Sequence, residues 1–266
     1  MDKAIGIFDS GIGGLTVVKE VARLLPYENI VYFGDTARVP YGVKSKETIV
    51  KFSIENTLFL LQKNVKMIVV ACNTSSSIAL PEIRRHFKIP MMGVIGPGAK
   101  EAVYATKNGR IGVIGTRATI NSGAYEAEIR RLDPRAKVFG QACPMLVPIV
   151  EEGWGSDPVA AKVAEKYLAP LRARHVDTLI LGCTHYPLLK AVIHRIMGPS
   201  VVLIDSALQV AAEVRQVLSQ EGLTRSPRGG RGRHEYYVSD EVAIFRNIAR
   251  RFLGKELCGI KKVNHV

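Results

Sequence analysis

The sequence is poor in cysteine and has no long apolar run. Four of its 266 residues are cysteine and none forms a Cys-x-x-C pair, which argues against a disulfide scaffold, a zinc ribbon and a thioredoxin-type site. No stretch approaches the roughly 20 apolar residues that cross a bilayer. Asp9 interrupts the first apolar segment, so the N-terminus is unlike a signal peptide. We therefore expect a cytoplasmic protein with reduced thiols and no membrane partner.

Acidic residues are also scarce compared with basic ones. The chain has 37 Lys and Arg against 24 Asp and Glu, a net charge of +13. Such an excess favours anionic substrates or non-specific contact with nucleic acid. No zinc finger, RNA-recognition signature or basic strip interleaved with aromatic residues is present. We therefore predict that nucleic acid is not required for function, and leave a secondary contact open.

What the sequence does contain is a series of short apolar runs that alternate with helical periodicity. The runs are rich in Ile and Val and are bounded by Gly, Pro, Asn or Asp, which is typical of buried strands. They are KAIGIF, NIVYFG, VKMIVVA, IPMMGVI, GRIGVIG, DTLILG and SVVLID. Segments such as LTVVKEVARLL and PVAAKVAEKYLAPL read as helices between them. This alternation predicts an α/β fold with parallel sheets, whose ligands bind at the carboxyl ends of the strands.

An internal repeat suggests two such units. KMIVVACNTSSSIALPEIR resembles DTLILGCTHYPLLKAVIHR, and AIGIFDSGIGG precedes the first as RIGVIGTRAT precedes the second. The two cysteines of the repeat are 111 residues apart, far beyond the period of a solenoid. We predict two similar α/β domains that face each other across a cleft. Residues 1–95 together with 208–266 form the first domain, with the tail returning to it, and residues 96–207 form the second.

Cys72 and Cys183 are the foremost chemical candidates. Each follows an apolar strand and precedes the start of a helix, where a thiol pKa is lowered because the helix N-terminus favours the thiolate. The alternative is that each is a small core residue. Equivalent positions in a repeat, beside Asn73 and His185, favour a functional pair.

Other residues near these strand ends each allow a structural or a functional interpretation. DSGIGG is either a tight turn or a cradle whose backbone N–H groups hold an anion, with Asp9 and Ser10 as helix caps or functional groups. His185 is interpreted as a hydrogen-bonding group for a substrate or a thiol rather than as a structural histidine. A zinc site of Cys72, Cys183 and His185 lacks the usual ligand spacing. The loop with Tyr41 and Gly42 has the residue types of a tight turn, and the alternative is a role in ligand binding.

Together these motifs resemble the glutamate racemase family. FDSGIGG, FGDT…PYG, ACNT, ACPMLVPIVEEG and LGCTHYP occur in that family's order and span residues 4 to about 254. The resemblance implies that Cys72 and Cys183 are proton donors and acceptors, with Cys72 serving the D-enantiomer and Cys183 the L-enantiomer. It further implies that Asp9 and His185 assist them. The residues that it places against the amino acid are Asp9, Ser10, Tyr41, Gly42, Asn73, Thr74, Thr184 and His185.

The resemblance also implies glutamate as substrate, no cofactor and no metal, a homodimer, and supply of D-glutamate for peptidoglycan synthesis. The chemistry agrees, since inverting a stereocentre requires one base on each face of Cα. An aspartate racemase stays an alternative, because one methylene is worth only about 1–3 kcal/mol in a pocket. No lysine stands in a context typical of a pyridoxal enzyme. The Arg-rich segment at residues 225–233 is longer and more basic than the family pattern, and its role stays open.

The absence of a cofactor gives a first prediction. Because the implied proton transfers use only thiols of the chain, racemase activity should survive dialysis against a chelator and hydroxylamine. Polarimetry with L-glutamate before and after dialysis measures it. Activity that is lost and then restored by zinc or pyridoxal phosphate would overturn the two-thiol hypothesis.

Overall fold

A computed structural model describes residues 3–254 and 256–263, and its strands form two sheets. All strand pairs in both sheets are parallel. The first sheet has the order β10-β9-β2-β1-β3-β4. Its strands are β1 (Ala4–Asp9), β2 (Ile30–Gly34), β3 (Val65–Val70), β4 (Met91–Gly93), β9 (His234–Val238) and β10 (Ile260–Lys262).

The second sheet has the order β6-β5-β7-β8. Its strands are β5 (Arg110–Gly115), β6 (Lys137–Ala142), β7 (Thr178–Gly182) and β8 (Val202–Ile204). The first four strands of the chain follow the same order, β2-β1-β3-β4, so the repeat in the sequence corresponds to a repeated sheet topology. The predicted fold class, two similar parallel α/β units, is confirmed.

Helices connect the strands and cover the sheets, as parallel pairing requires. Those between strands of the first sheet are α1 (Leu15–Leu24), α2 (Lys46–Gln62), α3 (Asn73–Ile78) and α4 (Leu80–His86). The following ones are α5 (Ile95–Ala105), α6 (Arg117–Asn121), α7 (Ala124–Leu132), α8 (Leu146–Glu151), α9 (Pro158–Ala173) and α10 (Lys190–Met197). The last two are α11 (Ala207–Gln220) and α12 (Val242–Leu253).

Two strands are shorter than the apolar runs that predicted them, and two other strands were not predicted. IPMMGVI contributes only Met91–Gly93, because Val94 caps α5, and SVVLID contributes only Val202–Ile204. The unexpected strands β6 and β10 are edge strands whose residues are largely exposed or half-buried. Without a continuous apolar run they lack the signal that marks the other strands.

The predicted domain boundaries stay a prediction. The tail strand β9 pairs with β2, next to the start of the chain. Helix α11, however, begins at the second predicted boundary and packs against both α1 and α5. Of the predicted first domain, residues 1–2, 255 and 264–266 lie outside the described part of the chain. Within that part, no helix is long and apolar enough to cross a membrane.

A buried ion pair ties the Arg-rich segment to the first sheet. Lys66 Nζ on β3 lies 2.5 Å from Glu28 Oε2, and both side chains are almost fully buried. The other oxygen of Glu28 accepts the backbone N–H of Arg225 at 2.7 Å. The Arg225 guanidinium donates to the carbonyls of Tyr27, Gly229 and Gly230. At least Arg225 of this basic segment is therefore a structural anchor.

This pair gives a stability prediction. Glu28→Gln leaves the Lys66 cation buried without a carboxylate, so the free energy of unfolding should fall by about 3 kcal/mol. Urea denaturation of both proteins measures the difference. Glu20→Gln is the control, because it breaks an ion pair with the exposed Arg23 and should cost less than about 1 kcal/mol. Equal losses in the two variants would contradict the argument.

Candidate active site

The carboxyl ends of both sheets meet at one small cavity. Its volume is about 30 Å³, which is room for one or two water molecules. The residues that line it come from both sheets and are Ser10, Val39, Pro40, Tyr41, Gly42, Cys72, Asn73, Thr74, Thr116, Val147, Glu151, Cys183, Thr184 and His185. The two cysteines of the repeat therefore contribute to the same cavity, one following β3 and the other following β7.

Asp9 ends β1 and lies behind the cavity wall, fully buried. Its Oδ2 accepts the backbone N–H groups of Gly11 and Gly14 at 3.2 and 3.0 Å. Its Oδ1 is buried and has no hydrogen-bond partner among the described residues. Burial raises the pKa of Asp9, while the charge of His185 and the three nearest backbone amides oppose the rise. A carboxyl in this position is suited to holding a proton.

Cys72 caps the N-terminus of α3 and is buried. Its Sγ lies 3.5 Å from Ser10 Oγ. Burial and the charge of Asp9 raise the pKa of Cys72 to about 11, although hydrogen bonds from Ser75 and Ser10 favour the thiolate. The expectation that the helix start lowers this pKa is therefore wrong in its net direction, because desolvation outweighs the amide dipoles.

Cys183 follows β7 directly, and its chief partner is a histidine. Its Sγ lies 3.8 Å from His185 Nδ1. The expected helix does not begin immediately after it, because Tyr186–Leu189 form a 3₁₀ turn and α10 begins only at Lys190. In place of a helix N-terminus, the second cysteine therefore has an imidazole.

His185 is held on both sides of its ring. Opposite Cys183, Nε2 lies 2.9 Å from Glu151 Oε1 at the end of α8. Burial disfavours its protonated form, but the hydrogen bonds and charges of Cys183 and Glu151 outweigh this and raise the pKa of His185 to about 10. The raised pKa favours the protonated form of the ring, which is placed between a sulfur and a carboxylate.

Hydroxyl and amide groups that follow strands of both sheets form the rest of the cavity wall. Asn73 Oδ1 accepts the Tyr125 hydroxyl at 2.7 Å, which leaves the Asn73 NH₂ group available to donate. Thr74 Oγ1 lies 3.0 Å from Thr116 Oγ1 and 3.2 Å from Thr119 Oγ1. This threonine cluster, Thr74, Thr116 and Thr119, joins the ends of β3 and β5 with uncharged hydrogen bonds.

Two glycines let the two sides approach closely. A Cβ at Gly13 would overlap Thr184 Oγ1 and lie 2.7 Å from His185 Nδ1. A Cβ at Gly42 would overlap the side chain of Thr116. The neighbouring Tyr41 hydroxyl bonds to Asp35 and accepts from Asn56 Nδ2 at 3.1 Å, so it is already occupied. Any larger residue at position 13 or 42 would force the walls apart.

The structure brings nine of the ten predicted site residues to the cavity wall, and Asp9 directly behind it. Sequence analysis missed Val39, Thr116 and Val147 as lining residues. Thr116 had a signal, because the repeat aligns it with Ser10. Across residues 3–254 and 256–263, no group of three or more His, Cys, Asp or Glu side chains is arranged to hold a metal ion.

Fold and cavity together define a class of enzyme with paired thiols between two duplicated α/β units. The chain matches the Asp/Glu/hydantoin racemase family over residues 5–214 and belongs to that family. It is also 50% identical over 262 residues to a glutamate racemase of Geobacter metallireducens, which covers 98% of this chain and 97% of the relative.

Solved structures agree with this assignment. A glutamate racemase isoform from Bacillus anthracis superimposes with a TM-score of 0.94 at 40% identity, covering 98% of this chain and 97% of that one. The glutamate racemase of Francisella tularensis, solved with D-glutamate, gives a TM-score of 0.92 at 39% identity, covering 99% and 98%. The resemblance of the motifs to this group is thus confirmed.

The pKa of His185 predicts a pH-dependent stability. Its folded-state pKa of about 10 lies above the ordinary value of about 6.5. The pairing of the protonated ring therefore stabilises the fold fully below about pH 6.5. This contribution to the free energy of unfolding is lost as pH rises through about 10. Glu151→Gln removes one of the two groups that raise this pKa. The difference in unfolding free energy from the parent should be largest near pH 6.5 and shrink steadily as pH rises toward about 10. The exposed neighbour variant Glu152→Gln should show no such trend, and a constant difference for Glu151→Gln would contradict the assignment.

Proposed function

We propose that this chain interconverts L- and D-glutamate by proton transfer between Cys72 and Cys183. The observation that carries the proposal is that both cysteines, from equivalent strands of two different sheets, line one small cavity. A base on each side of Cα inverts the centre without turning the substrate over. Glutamate is favoured over aspartate because relatives that are about half identical over nearly the full length are glutamate racemases.

The proposed reaction starts with one sulfur as thiolate and the other as thiol. The thiolate takes the α-proton from one face, and the thiol donates its proton to the opposite face of the carbanion. The first sulfur ends as thiol and the second as thiolate, so the reverse reaction begins where the forward reaction stops. The protonation state of one sulfur is therefore tied to that of the other throughout the proposed reaction.

The two cysteines have different neighbouring groups that are proposed to assist proton transfer. On the side of Cys183, protonated His185 is 3.8 Å from the sulfur, and a neighbouring cation favours a thiolate. On the side of Cys72, Asp9 is a buried carboxyl with a raised pKa, which allows it to hold a proton near that sulfur. A cation assists one thiol and a carboxyl the other, so the duplicated site is chemically asymmetric.

The remaining residues are proposed to bind the amino acid. Asn73 can donate its NH₂ group to a carboxylate, and the Thr184 and Ser10 hydroxyls are of the same type. Because the Tyr41 hydroxyl is occupied, Tyr41 and Gly42 are proposed to act through the backbone. Asp9 lies behind the wall, so its unpartnered Oδ1 is proposed to accept from the substrate ammonium group only after the walls have separated. Such positioned groups stabilise the carbanion-like transition state in a site that excludes water.

The wider setting is also a proposal. It comprises a cofactor-independent enzyme, a homodimer, a cytoplasmic location, and the supply of D-glutamate for peptidoglycan synthesis. We further propose the domain division at residues 95/96 and 207/208, which the repeated strand order supports. Light scattering of the purified protein tests the dimer.

The decisive experiment separates the two bases. Cys72→Ser and Cys183→Ser should each lower racemisation by at least about 100-fold, because a hydroxyl is a far weaker acid than a thiol. Each variant should still remove a proton on its intact side. With 3-chloroglutamate, loss of the α-proton expels chloride and forms an enamine, which water converts to 2-oxoglutarate and ammonium. Cys72→Ser should therefore process the L-analogue and Cys183→Ser the D-analogue.

The product 2-oxoglutarate is measured with a coupled dehydrogenase for both enantiomers and both variants. Complementary preference supports opposed bases. Equal processing of both enantiomers by either variant, or racemisation of glutamate near the parent rate, would return the cysteines to the role of core residues.

A further inference from the structure

Helix α12 spans from the first sheet to the far wall of the cavity. It follows β9, which pairs with β2, and it packs against α1. Its first half is anchored by buried Phe245, whose ring lies 6.3 Å from that of Tyr32 on β2. Ala249, one turn later, is also fully buried. This part of the helix is therefore packed on the first sheet.

The last turn of α12 contacts residues that belong to the other wall. Arg251 Nη1 donates to the backbone carbonyl of Glu151 at 2.8 Å. The guanidinium lies against Gly153, where a Cβ would stand 2.5 Å from Nη1. Gly153 has a φ of +80°, so both its conformation and its lack of a side chain suit this contact. Arg251 thus holds the end of α8, from which the Glu151 carboxylate projects to His185.

Phe252 contacts the histidine itself. Its ring is perpendicular to His185, with an interplanar angle of 89° and 5.6 Å between ring centroids. Phe252 is 5% exposed and belongs to the hydrophobic core. His185 is thereby confined by Cys183 at one nitrogen, by Glu151 at the other and by an aromatic edge contact against its ring.

We propose that Arg251 and Phe252 are positioning residues, through which α12 sets His185 and Glu151 for proton transfer at Cys183. This inference rests on the proposed function and deepens it. Neither residue lines the cavity, so both act through the residues that do. Because α12 is anchored on the first sheet, its last turn holds His185 in place only when the two walls are together.

The arrangement is one-sided, and this makes the proposal testable. Among the described contacts, those of Arg251 and Phe252 reach Glu151 and His185, and none reaches Cys72 or Ser10. Loss of the Arg251 hydrogen bond should therefore slow proton removal by Cys183 and leave removal by Cys72 unchanged. A residue that served only the stability of the fold would affect both sides alike.

The experiment introduces Arg251→Met into the Cys72→Ser and Cys183→Ser proteins. In Cys72→Ser, where only Cys183 acts, the added change should lower the rate of elimination from L-3-chloroglutamate about tenfold, because small misplacements of a catalytic group are costly. In Cys183→Ser, elimination from the D-analogue should stay within twofold. Arg251→Lys keeps one donor and should recover most of the loss in the first protein.

Arg246→Met is the matched control, since it makes the same substitution at an exposed position of the same helix. It should leave both rates unchanged, and thermal unfolding of every variant verifies that the fold is retained. Equal losses on both sides, or no loss on either, would overturn the positioning role. If the parent cysteine variants themselves lack complementary preference, the proposed function fails instead, so the two failures are distinguishable.

Discussion

The close approach of two parallel sheets at their carboxyl ends is the constraint on which the site depends. Gly13 lies against Thr184 and His185, and Gly42 lies against Thr116, with no room for a Cβ at either point. Only this spacing brings Cys72, which follows β3, to the same cavity as Cys183, which follows β7. The rest of the fold, from the repeated strand order to the covering helices, serves to present these strand ends to each other.

Burial sets the electrostatics of the cavity. Removing groups from water raises the pKa of Asp9 and of Cys72, so the first-sheet side favours protonated, neutral forms. On the other side, the pairing of His185 with Cys183 and Glu151 overcomes the same desolvation and keeps a cation in place. The two halves of the duplicated site therefore differ in charge, although they share a topology. The proposed alternation of the two sulfurs between thiol and thiolate is compatible with such a difference, because each sulfur has a neighbour suited to one of the two states.

Much of this arrangement follows from local signals in the sequence. Buried strands such as β3 and β7 carry continuous apolar runs, and the repeat places Cys72 and Cys183 at their ends, so the cavity-lining pair was predictable. Edge strands β6 and β10 lack such runs and were not predictable. The net pKa of Cys72 was not predictable either, because it depends on the depth of burial and on Asp9, which adjoins it only in the folded chain. The contact of Phe252 with His185 joins residues 67 positions apart and has no local signal at all.

The cavity is too small for an amino acid, with about 30 Å³ of space, so substrate entry requires its walls to separate. The bonds that cross between the walls fit this requirement. Thr74 bonds to Thr116 and Thr119 through hydroxyl groups, and Asn73 accepts from the Tyr125 hydroxyl. The Arg251 guanidinium donates to the Glu151 carbonyl. Each of these hydrogen bonds is worth only about 1–3 kcal/mol net, because water replaces it on opening. The almost fully buried ion pair of Lys66 and Glu28 lies instead between the Arg-rich segment and the first sheet, away from the cavity. Breaking a buried charge pair costs several times more than breaking a hydroxyl contact, so placing the two kinds of interaction in this way keeps the scaffold rigid and the cleft free to open.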